Sequence, residues 1–256
     1  ASFDADSDGV EGKYYVWSET EIDAVLTPAR SALFKQVYDV TAQGNWEGAN
    51  ILNRLRAMNY LQPEQEAMLS GQRKQLLKAR GERTRPLWDD KVLADWNGLA
   101  IAALVNAATV FQKPEWHLPA VKAFWFIAEK MTHGSQGEYI YHAYRDGKAQ
   151  HDGTADDYAF MARAALALFE VTSDPRYLDR AKVWTRVMDE EFWDENAGGY
   201  FMTAKRTEDL PLRPKVVVDQ STPSPNGIMA QVQTRLHFHT GEARYRKRTE
   251  DTLNAF

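Results

Sequence analysis

Polar and charged residues are concentrated directly ahead of three apolar, helix-forming segments, around positions 89–97, 156–158 and 224–226. Three of these residues, Asp95, Asp156 and Asp157, are candidate catalytic residues because of their carboxyl groups. Glycoside hydrolysis and proton transfer need paired carboxylates, one as the acid and one as the base or nucleophile. Which two carboxylates pair stays open at this point, because a sequence does not give their separation.

Other polar and aromatic residues near these segments are candidate substrate contacts. A site that combines flat aromatic faces with a few polar groups suits a sugar, whose C–H faces stack on rings while its hydroxyls bind carboxylates and amides. The polar candidates are Asp89, Asp90, Lys91, Asn97, Ser224 and Asn226, and the candidate stacking surfaces are Trp46, Trp88, Trp96 and Tyr158.

Helix capping is the competing interpretation of the same residues. Asp, Asn and Ser are the residues that cap helix N-termini, and a carboxylate also complements the positive end of the helix dipole. For any one of these residues taken alone, capping is the simpler explanation. A cap uses a single residue, however, and the first group supplies Asp89, Asp90, Lys91 and Asp95 together with two tryptophans. This surplus is what favours a site.

The three segments form an internal repeat. "WNGLAIAALVNAATVF", "DDYAFMARAALALFEVT" and "PNGIMAQVQTRLHFHTG" can be superimposed so that Asn97, Asp157 and Asn226 are equivalent, at spacings of 60 and 69 residues. A second helical segment follows each, with an aromatic residue at a matching offset: Trp116, Tyr177 and Tyr245. The pattern predicts repeated helical hairpins.

The two helices of the second hairpin differ in their pattern. Residues 158–171 are apolar on nearly every side, whereas residues 176–192 alternate apolar and charged residues at helical spacing, which predicts an inner and an outer helix. Turns at Asp146-Gly147 and Gly198-Gly199 predict short β-hairpins between the helix pairs. The predicted fold is all-α, an α/α toroid whose inner helices run in one direction, so that their N-termini converge on one mouth.

The N-terminal part of the chain fits this organisation. Ser18 and Glu21 predict a capping box for a helix through Leu26, a further hairpin begins at 34–40, and a long helix spans 63–83. Six hairpins of this length would need roughly 360 to 410 residues. We therefore expect one domain over 1–256, an incomplete ring that is part of a longer protein.

Composition excludes several function classes. The formal net charge of −5 argues against a nucleic-acid or anionic-membrane partner, and no apolar run or leader-like segment predicts membrane insertion or export. The chain has no Cys, which excludes disulfides and cysteine metal ligands within it. The segments "DADSDG" and "DENAGG" resemble the first half of a calcium loop but lack its bidentate Glu. His237 and His239 are two residues apart, which is the wrong spacing for a shared metal on a helix. These features predict a cytoplasmic protein without a metal site or cofactor.

The ordered blocks of the sequence resemble a known family. "DADSDGVEGKYYVWSETEI", "YDVTAQGNWEGANIL", "DDKVLADWNGLAIAAL", "DDYAFMARAALALFEVT", "FWDENAGGYF" and "DQSTPSPNG" are similar to proteins related to spermatogenesis-associated protein 20, including bacterial relatives with a thioredoxin domain. The resemblance implies a thioredoxin-like domain in the parent chain and a six-hairpin toroid of the kind found in glycosidases and N-acylglucosamine 2-epimerases. One departure is Pro225, where the family usually has Gly, and it stiffens the turn before the third inner helix.

Two functional hypotheses follow. The first is a carbohydrate-active protein with glycosidase- or epimerase-like acid/base chemistry; because a histidine carries protons in epimerases of this fold, the resemblance adds His142 and His151 as candidates. The second is a non-catalytic scaffold whose groove holds a polypeptide partner for the thioredoxin-like domain. An acidic pocket with two nearby carboxylates favours the first, and an apolar groove whose aspartates all act as caps favours the second.

Overall fold

The structure, a computed structural model, describes residues 2–207 and 210–256, and the chain separates into two compact units, Ala1–Asp90 and Lys91–Phe256. The helices are α1 (Glu19–Leu26), α2 (Pro28–Val37), α3 (Pro63–Gly81), α4 (Ala94–Val110), α5 (His117–Lys130), α6 (Ala155–Thr172), α7 (Pro175–Val187), α8 (Pro225–Thr240) and α9 (Ala243–Asn254). The strands are β1 (Ser2–Phe3), β2 (Asp6–Ser7), β3 (Val10–Glu11), β4 (Trp88–Asp89), β5 (Val92–Leu93), β6 (Thr132–His133), β7 (Tyr139–Arg145) and β8 (Lys148–Asp152).

The first unit is built on α1, α2 and α3. The predicted capping box is confirmed: Glu21 N donates to Ser18 Oγ at 3.1 Å, and Ser18 N donates to the Glu21 carboxylate at 2.7 Å. Two details of the prediction are wrong. The second helix begins at Pro28, whose ring suits the first helical position, rather than at Phe34, and α3 ends at Gly81. The three helices bury one apolar cluster, which includes Ile22 and Phe34.

The second unit contains three helical hairpins, α4/α5, α6/α7 and α8/α9, with α6 packed between α4 and α8. The prediction of an inner and an outer helix is confirmed, because α6 is buried on almost every side whereas α7 buries one face that includes Tyr177 and Trp184. The start of α4 lies very close to α6: a Cβ at Gly98 would be 2.7 Å from the carbonyl carbon of Phe160. Glycine at that position is what allows the two backbones to approach.

The three inner helices run in the same direction, as predicted. At their beginnings, Asp95 N in α4 donates to the Asp157 carboxylate in α6 at 3.0 Å. Near their ends, Glu170 of α6 accepts from Arg235 of α8 at 2.6 Å and lies 2.9 Å from His239 of α8. These contacts join first turn to first turn and last turns to last turns, so the N-termini of neighbouring inner helices lie at the same end.

A small antiparallel sheet supports that end of the unit. Strand β7 pairs with β5, β6 and β8, and the β7/β8 hairpin turns at Asp146 and Gly147, which both have positive φ as a two-residue type I′ turn requires. The hairpin predicted at Gly198-Gly199 is reduced to one bridge, between Trp193 and Tyr200. Within the described residues no helix is long and apolar enough to cross a membrane. The expectation of a single domain over 1–256 stays a prediction.

Candidate functional site

Asp157 is the centre of the polar cluster at the first turns of α4 and α6. Its side chain is fully buried and its two oxygens accept hydrogen bonds from both neighbouring segments. Asp95 N donates to Oδ1 at 3.0 Å, Thr154 N donates to Oδ2 at 2.8 Å, and the Thr154 hydroxyl lies 3.2 Å from Oδ2. Asp157 therefore ties the first turn of α4 to the loop before α6.

Local sequence explains how Asp157 reaches this position. Thr154 and Asp157 form a capping box at the start of α6, in which the third helical residue binds the backbone N–H of the cap residue. A capping carboxylate usually faces solvent. Here the close packing of α4, permitted by Gly98, covers the carboxylate and adds the donor from Asp95.

His142 reaches the same carboxylate from β7. Its Nδ1 lies 3.1 Å from both oxygens of Asp157, and the imidazole side chain is 31% exposed, so one ring nitrogen is held inside while part of the ring faces solvent. The hydrogen bond to Asp157 raises the pKa of His142, and the charges of Asp157, Asp95 and Asp156 add to that effect against the cost of desolvation. Because Asp157 can only accept when ionised, this contact assigns the proton to Nδ1.

Asp95 is 8% exposed and is the second residue of α4. Its Oδ1 accepts from the following backbone N–H, Trp96 N, at 2.6 Å. Burial raises the pKa of Asp95, and the negative charge of Asp157 raises it further. Asp95 is thus a carboxyl group whose protonation is favoured by a neighbouring carboxylate.

Asp156 is the most perturbed carboxyl group in this cluster. Desolvation is the first cause and the charges of Asp95 and Asp157 are the second, and together they raise the pKa of Asp156 to about 6. Its Oδ1 is buried without a hydrogen-bond partner in the described part of the chain. A buried, unsatisfied oxygen favours the protonated form, and a carboxyl group with such a pKa exchanges protons near neutral pH.

Asp95, His142 and Asp157 are also the residues that could hold a metal ion, since each offers a ligand atom within 4.8 Å of the others. The Asp157 oxygens already accept from two backbone N–H groups and face the His142 ring. A cation would have to displace the imidazole contact. The expectation of no metal and no cofactor stays a prediction.

The structure gives several predicted contact residues a structural role instead. Asn97 Nδ2 donates to Leu93 O at 2.8 Å, and Ser224 is the N-cap of α8. Asn226 is 2% exposed and binds the backbone of Tyr200 through both ends of its amide, at 2.6 and 3.0 Å. For these residues the capping and bracing interpretation is the one that the contacts support.

The aromatic candidates divide in the same way. Tyr158 is fully buried, its hydroxyl accepts from Ile140 N at 3.0 Å, and its ring packs on Phe192, so the expected stacking surface is corrected to a core residue. Trp96 is 55% exposed and directly follows Asp95. Of the aromatic candidates in the second unit, Trp96 has the ring face open to a ligand.

Four further candidates belong to the first unit. Trp88 and Asp89 form β4, which pairs with β1, and Trp88 is 62% exposed. Trp46 makes a bridge with Ala49 and its ring lies against Gly12. Asp90 ends the first unit and the exposed Lys91 begins the second. The roles predicted for all of these in substrate binding stay predictions.

One residue of the site, Thr154, was not found from the sequence. Thr154 holds Asp157 through its backbone and hydroxyl, and its signal was the Thr-x-x-Asp spacing of a capping box. The candidate His151, in β8, lies opposite His142 in β7, because Tyr141 pairs with Asp152 and Ala143 with Gln150, and it is exposed. A separate cavity of about 550 Å³ is lined by residues within 193–198 and 244–255, none of which is a predicted site residue.

Comparison with known proteins agrees with this architecture. The chain is 29% identical to human spermatogenesis-associated protein 20 over 96% of its own length, and it spans about a third of that relative, 36%. No family model matches the chain.

Two solved structures share the fold. Cellobiose 2-epimerase from Bacillus thermoamylovorans matches with a TM-score of 0.54 at 15% identity, over 65% of this chain and 44% of the other. An unsaturated glucuronyl hydrolase specific for heparin matches with a TM-score of 0.53 at 18% identity, over 66% and 47%. The predicted resemblance and the predicted fold class are therefore confirmed: the chain is similar to spermatogenesis-associated protein 20 and has the α/α toroid fold that these sugar-processing enzymes share.

Proposed function

We propose that the second unit is a carbohydrate-active site in which Asp156 is the proton donor and Asp95 the partner carboxylate. His142, whose pKa is raised by the hydrogen bond to Asp157, is proposed as a second proton-exchanging group. Asp157 is a positioning residue in this scheme, because it is fully buried and its oxygens are engaged by Thr154, Asp95 and His142. Asp157, a candidate catalytic residue in the sequence, is therefore proposed to hold Asp95 and His142 in place and not to react itself.

The observation that carries the proposal is the state of Asp156. General acid catalysis is most effective when the pKa of the acid lies near the working pH. A carboxyl group with a pKa of about 6 and one unsatisfied buried oxygen, placed beside two other aspartates, meets that condition. A capping residue would instead accept from backbone N–H groups at the helix start, as Asp157 does from Thr154 N.

The partner carboxylate and the aromatic surface come from the first turn of α4. Asp95 is near Asp157, whose charge raises the pKa of both Asp95 and Asp156, so ionisation of one member of the trio disfavours ionisation of the others. Trp96 adds an exposed ring next to Asp95. This combination of proton-exchanging carboxyl groups and an aromatic face supports a sugar as the substrate class.

The fold neighbours lend support of a more general kind. Their names say that one epimerises cellobiose and the other hydrolyses unsaturated glucuronyl groups, and both place their chemistry on the fold that this chain shares. A fold hosts many chemistries, so the proposal for this chain depends on the residues of its own site.

Ligand binding can be tested by thermal denaturation with a panel of mono- and oligosaccharides at pH 6. A ligand at a hundredfold excess over its dissociation constant stabilises the folded state by about 2.7 kcal/mol, which is a shift of roughly 5–10 °C for a domain of this size. We expect at least one sugar to shift the parent. Asp156→Asn should lower the shift, and Asp146→Asn, a change of the same kind at an exposed hairpin turn, should not.

Product analysis by NMR with each stabilising sugar then separates hydrolysis from epimerisation. Conversion that disappears in both Asp156→Asn and Asp95→Asn supports the acid/base pair. Conversion that is unchanged in both variants would contradict it. Absence of any sugar-induced shift across the panel would favour the alternative, a non-catalytic module that binds a polypeptide for an attached thioredoxin-like domain.

A further inference from the structure

An apolar groove lies along α3 in the first unit, independent of the site described above. Its volume is about 230 Å³. The lining consists of Trp17, Phe34, Leu52, Leu76 and Leu77, together with Arg73 and Arg80. Trp17, Phe34 and Leu76 are buried, whereas Leu77 is 59% exposed, so the floor belongs to the core and the rim faces solvent.

The two arginines give the groove its charge. Arg73 and Arg80 are seven residues apart on α3, which places them on one face about 10 Å apart along the helix axis. Neither forms an ion pair with any residue in the described ranges. Arg73 donates to the Tyr38 hydroxyl at 2.6 Å, and the Arg80 guanidinium lies over the Tyr14 ring at 5.3 Å with its Nε buried and without a hydrogen-bond partner.

Two other arginines of the first unit form ion pairs with glutamates. Arg54 binds Glu66 through two nitrogens at 2.9 and 3.1 Å, and Arg83 lies 3.1 Å from Glu21. The hydrogen bond from Arg54 is the largest cause of the lowered pKa of Glu66, and the charge of Arg73 is the smallest, so Glu66 is mainly the partner of Arg54. The two groove arginines therefore carry positive charge that the described chain does not neutralise by direct contact.

We propose that this groove binds an acidic polypeptide segment that inserts one large apolar side chain between two carboxylates. The volume is below the roughly 300–1,000 Å³ of small-molecule pockets and suits a single buried anchor of the kind that dominates peptide interfaces. Carboxylates about 10 Å apart would meet Arg73 and Arg80 together. In an extended peptide alternate side chains share a face, so an anchor at i+2 lies between carboxylates at i and i+4. Their backbone positions are about 13 Å apart at 3.3 Å per residue, and the long arginine and glutamate side chains span the difference.

The neighbouring segment supplies additional contact surface. Residues 51–60, which contribute Leu52 to the groove, leave Leu55, Met58 and Tyr60 78%, 78% and 86% exposed. Clusters of large exposed apolar residues are typical of interaction surfaces. The net charge of the whole chain is −5, so attraction of an acidic segment has to come from the local arginines and not from the long-range field.

Two fluorescein-labelled peptides with the core sequences Glu-Ser-Phe-Ser-Glu and Lys-Ser-Phe-Ser-Lys test the proposal by fluorescence anisotropy at low salt. We expect the parent to bind the glutamate peptide about tenfold more tightly, because each guanidinium forms a charge-assisted contact. Arg73→Glu/Arg80→Glu should invert the preference. Lys74→Glu/Lys78→Glu makes the same charge change at exposed positions of the same helix outside the groove lining and should keep the preference of the parent.

Leu77→Ser keeps the proposal testable if the arginine double variant fails to fold, as circular dichroism would show. Because Leu77 is exposed, this variant should fold normally and bind the glutamate peptide several-fold more weakly. Equal binding of both peptides to the parent, or unchanged binding in Leu77→Ser, would overturn the proposal. Self-association in sedimentation velocity that is lost in Leu77→Ser, without peptide binding, would assign the groove to a second copy of the chain and also overturn it.

Discussion

The sequence repeat matches Asp157 with Asn226, and the structure places them as the third residue of α6 and the second residue of α8. Both side chains are almost completely buried, and both fasten the first turn of an inner helix to backbone outside that helix. Asn226 does so as a neutral amide, with its oxygen and nitrogen bound to the backbone of Tyr200. Asp157 does so as a carboxylate surrounded by donors and by other titratable groups.

The difference between the neutral amide and the charged carboxylate distinguishes a purely structural role from one that changes the protonation of neighbouring groups. An amide is sufficient to brace a helix start, as Asn226 demonstrates, so bracing alone does not require a buried charge. Burying a carboxylate is unfavourable unless hydrogen bonds and opposite charge compensate for it. The charge of Asp157 has consequences that Asn226 cannot have, because it raises the pKa values of His142, Asp95 and Asp156.

The largest expected effect comes from removing each brace. Asp157→Ala leaves two backbone N–H groups and the His142 ring without their acceptor, and we expect a loss of about 3–5 kcal/mol in the free energy of unfolding. Asn226→Ala removes neutral hydrogen bonds and should cost about 1–3 kcal/mol. Urea denaturation at pH 7 followed by circular dichroism measures both. Equal losses would show that the charge of Asp157 contributes nothing beyond bracing.

The glycines after Asn97 and Asn226, Gly98 and Gly227, should respond to alanine with opposite changes in stability. In Gly98→Ala the new Cβ would lie 2.7 Å from backbone of α6, and we expect a loss of about 2–3 kcal/mol after the gain in helix propensity. In Gly227→Ala the nearest atom is 4.0 Å away, and a gain of about 0.5–1 kcal/mol is expected. Thermal unfolding reports both changes. Opposite signs support the close approach of α4 to α6, and a stabilising Gly98→Ala would contradict it.

A smaller, pH-dependent effect is expected for Asp156→Asn. The folded-state pKa of about 6 lies above the ordinary value of 3.8, so the folded parent loses stability as pH rises from about 4 to 6, and that loss is complete above pH 7. The variant lacks this penalty. It should therefore be about 1–2 kcal/mol more stable than the parent at pH 7.5 and equal to it near pH 4. Urea titrations at the two pH values test the sign, and a variant less stable at pH 7.5 would refute it.

Part of this organisation was readable from the sequence. The apolar pattern of 158–171 predicted a helix buried on all sides, and the equivalence of Asn97, Asp157 and Asn226 predicted that the inner helix N-termini lie at one end. Repeats are informative in this way because each copy faces the same packing problem. Boundaries were less predictable: α7 ends at Val187 and a π-helical turn follows through Phe192, where the pattern suggested one continuous helix.

The different roles of the site residues could not be predicted from the sequence. Asp156 and Asp157 are adjacent and chemically identical in the sequence, yet one is engaged on both oxygens and the other has a buried oxygen without a partner. Tyr158 was expected to stack on a ligand, and a helical turn of α6 directs it into the core instead. His142 was a candidate because of its place beside the Asp146-Gly147 turn and because of the resemblance, but a hairpin histidine has no local signal for the carboxylate it contacts.

By itself, the sequence determined the repeated helical hairpins, the inner and outer character of their helices and the identity of the residues at each helix start, because periodicity and capping are local properties. Tertiary structure decided which of those residues carry a perturbed pKa and which only brace the backbone. The reason is that burial, the approach of α4 permitted by Gly98 and the contact of His142 with Asp157 depend on segments that are far apart along the chain.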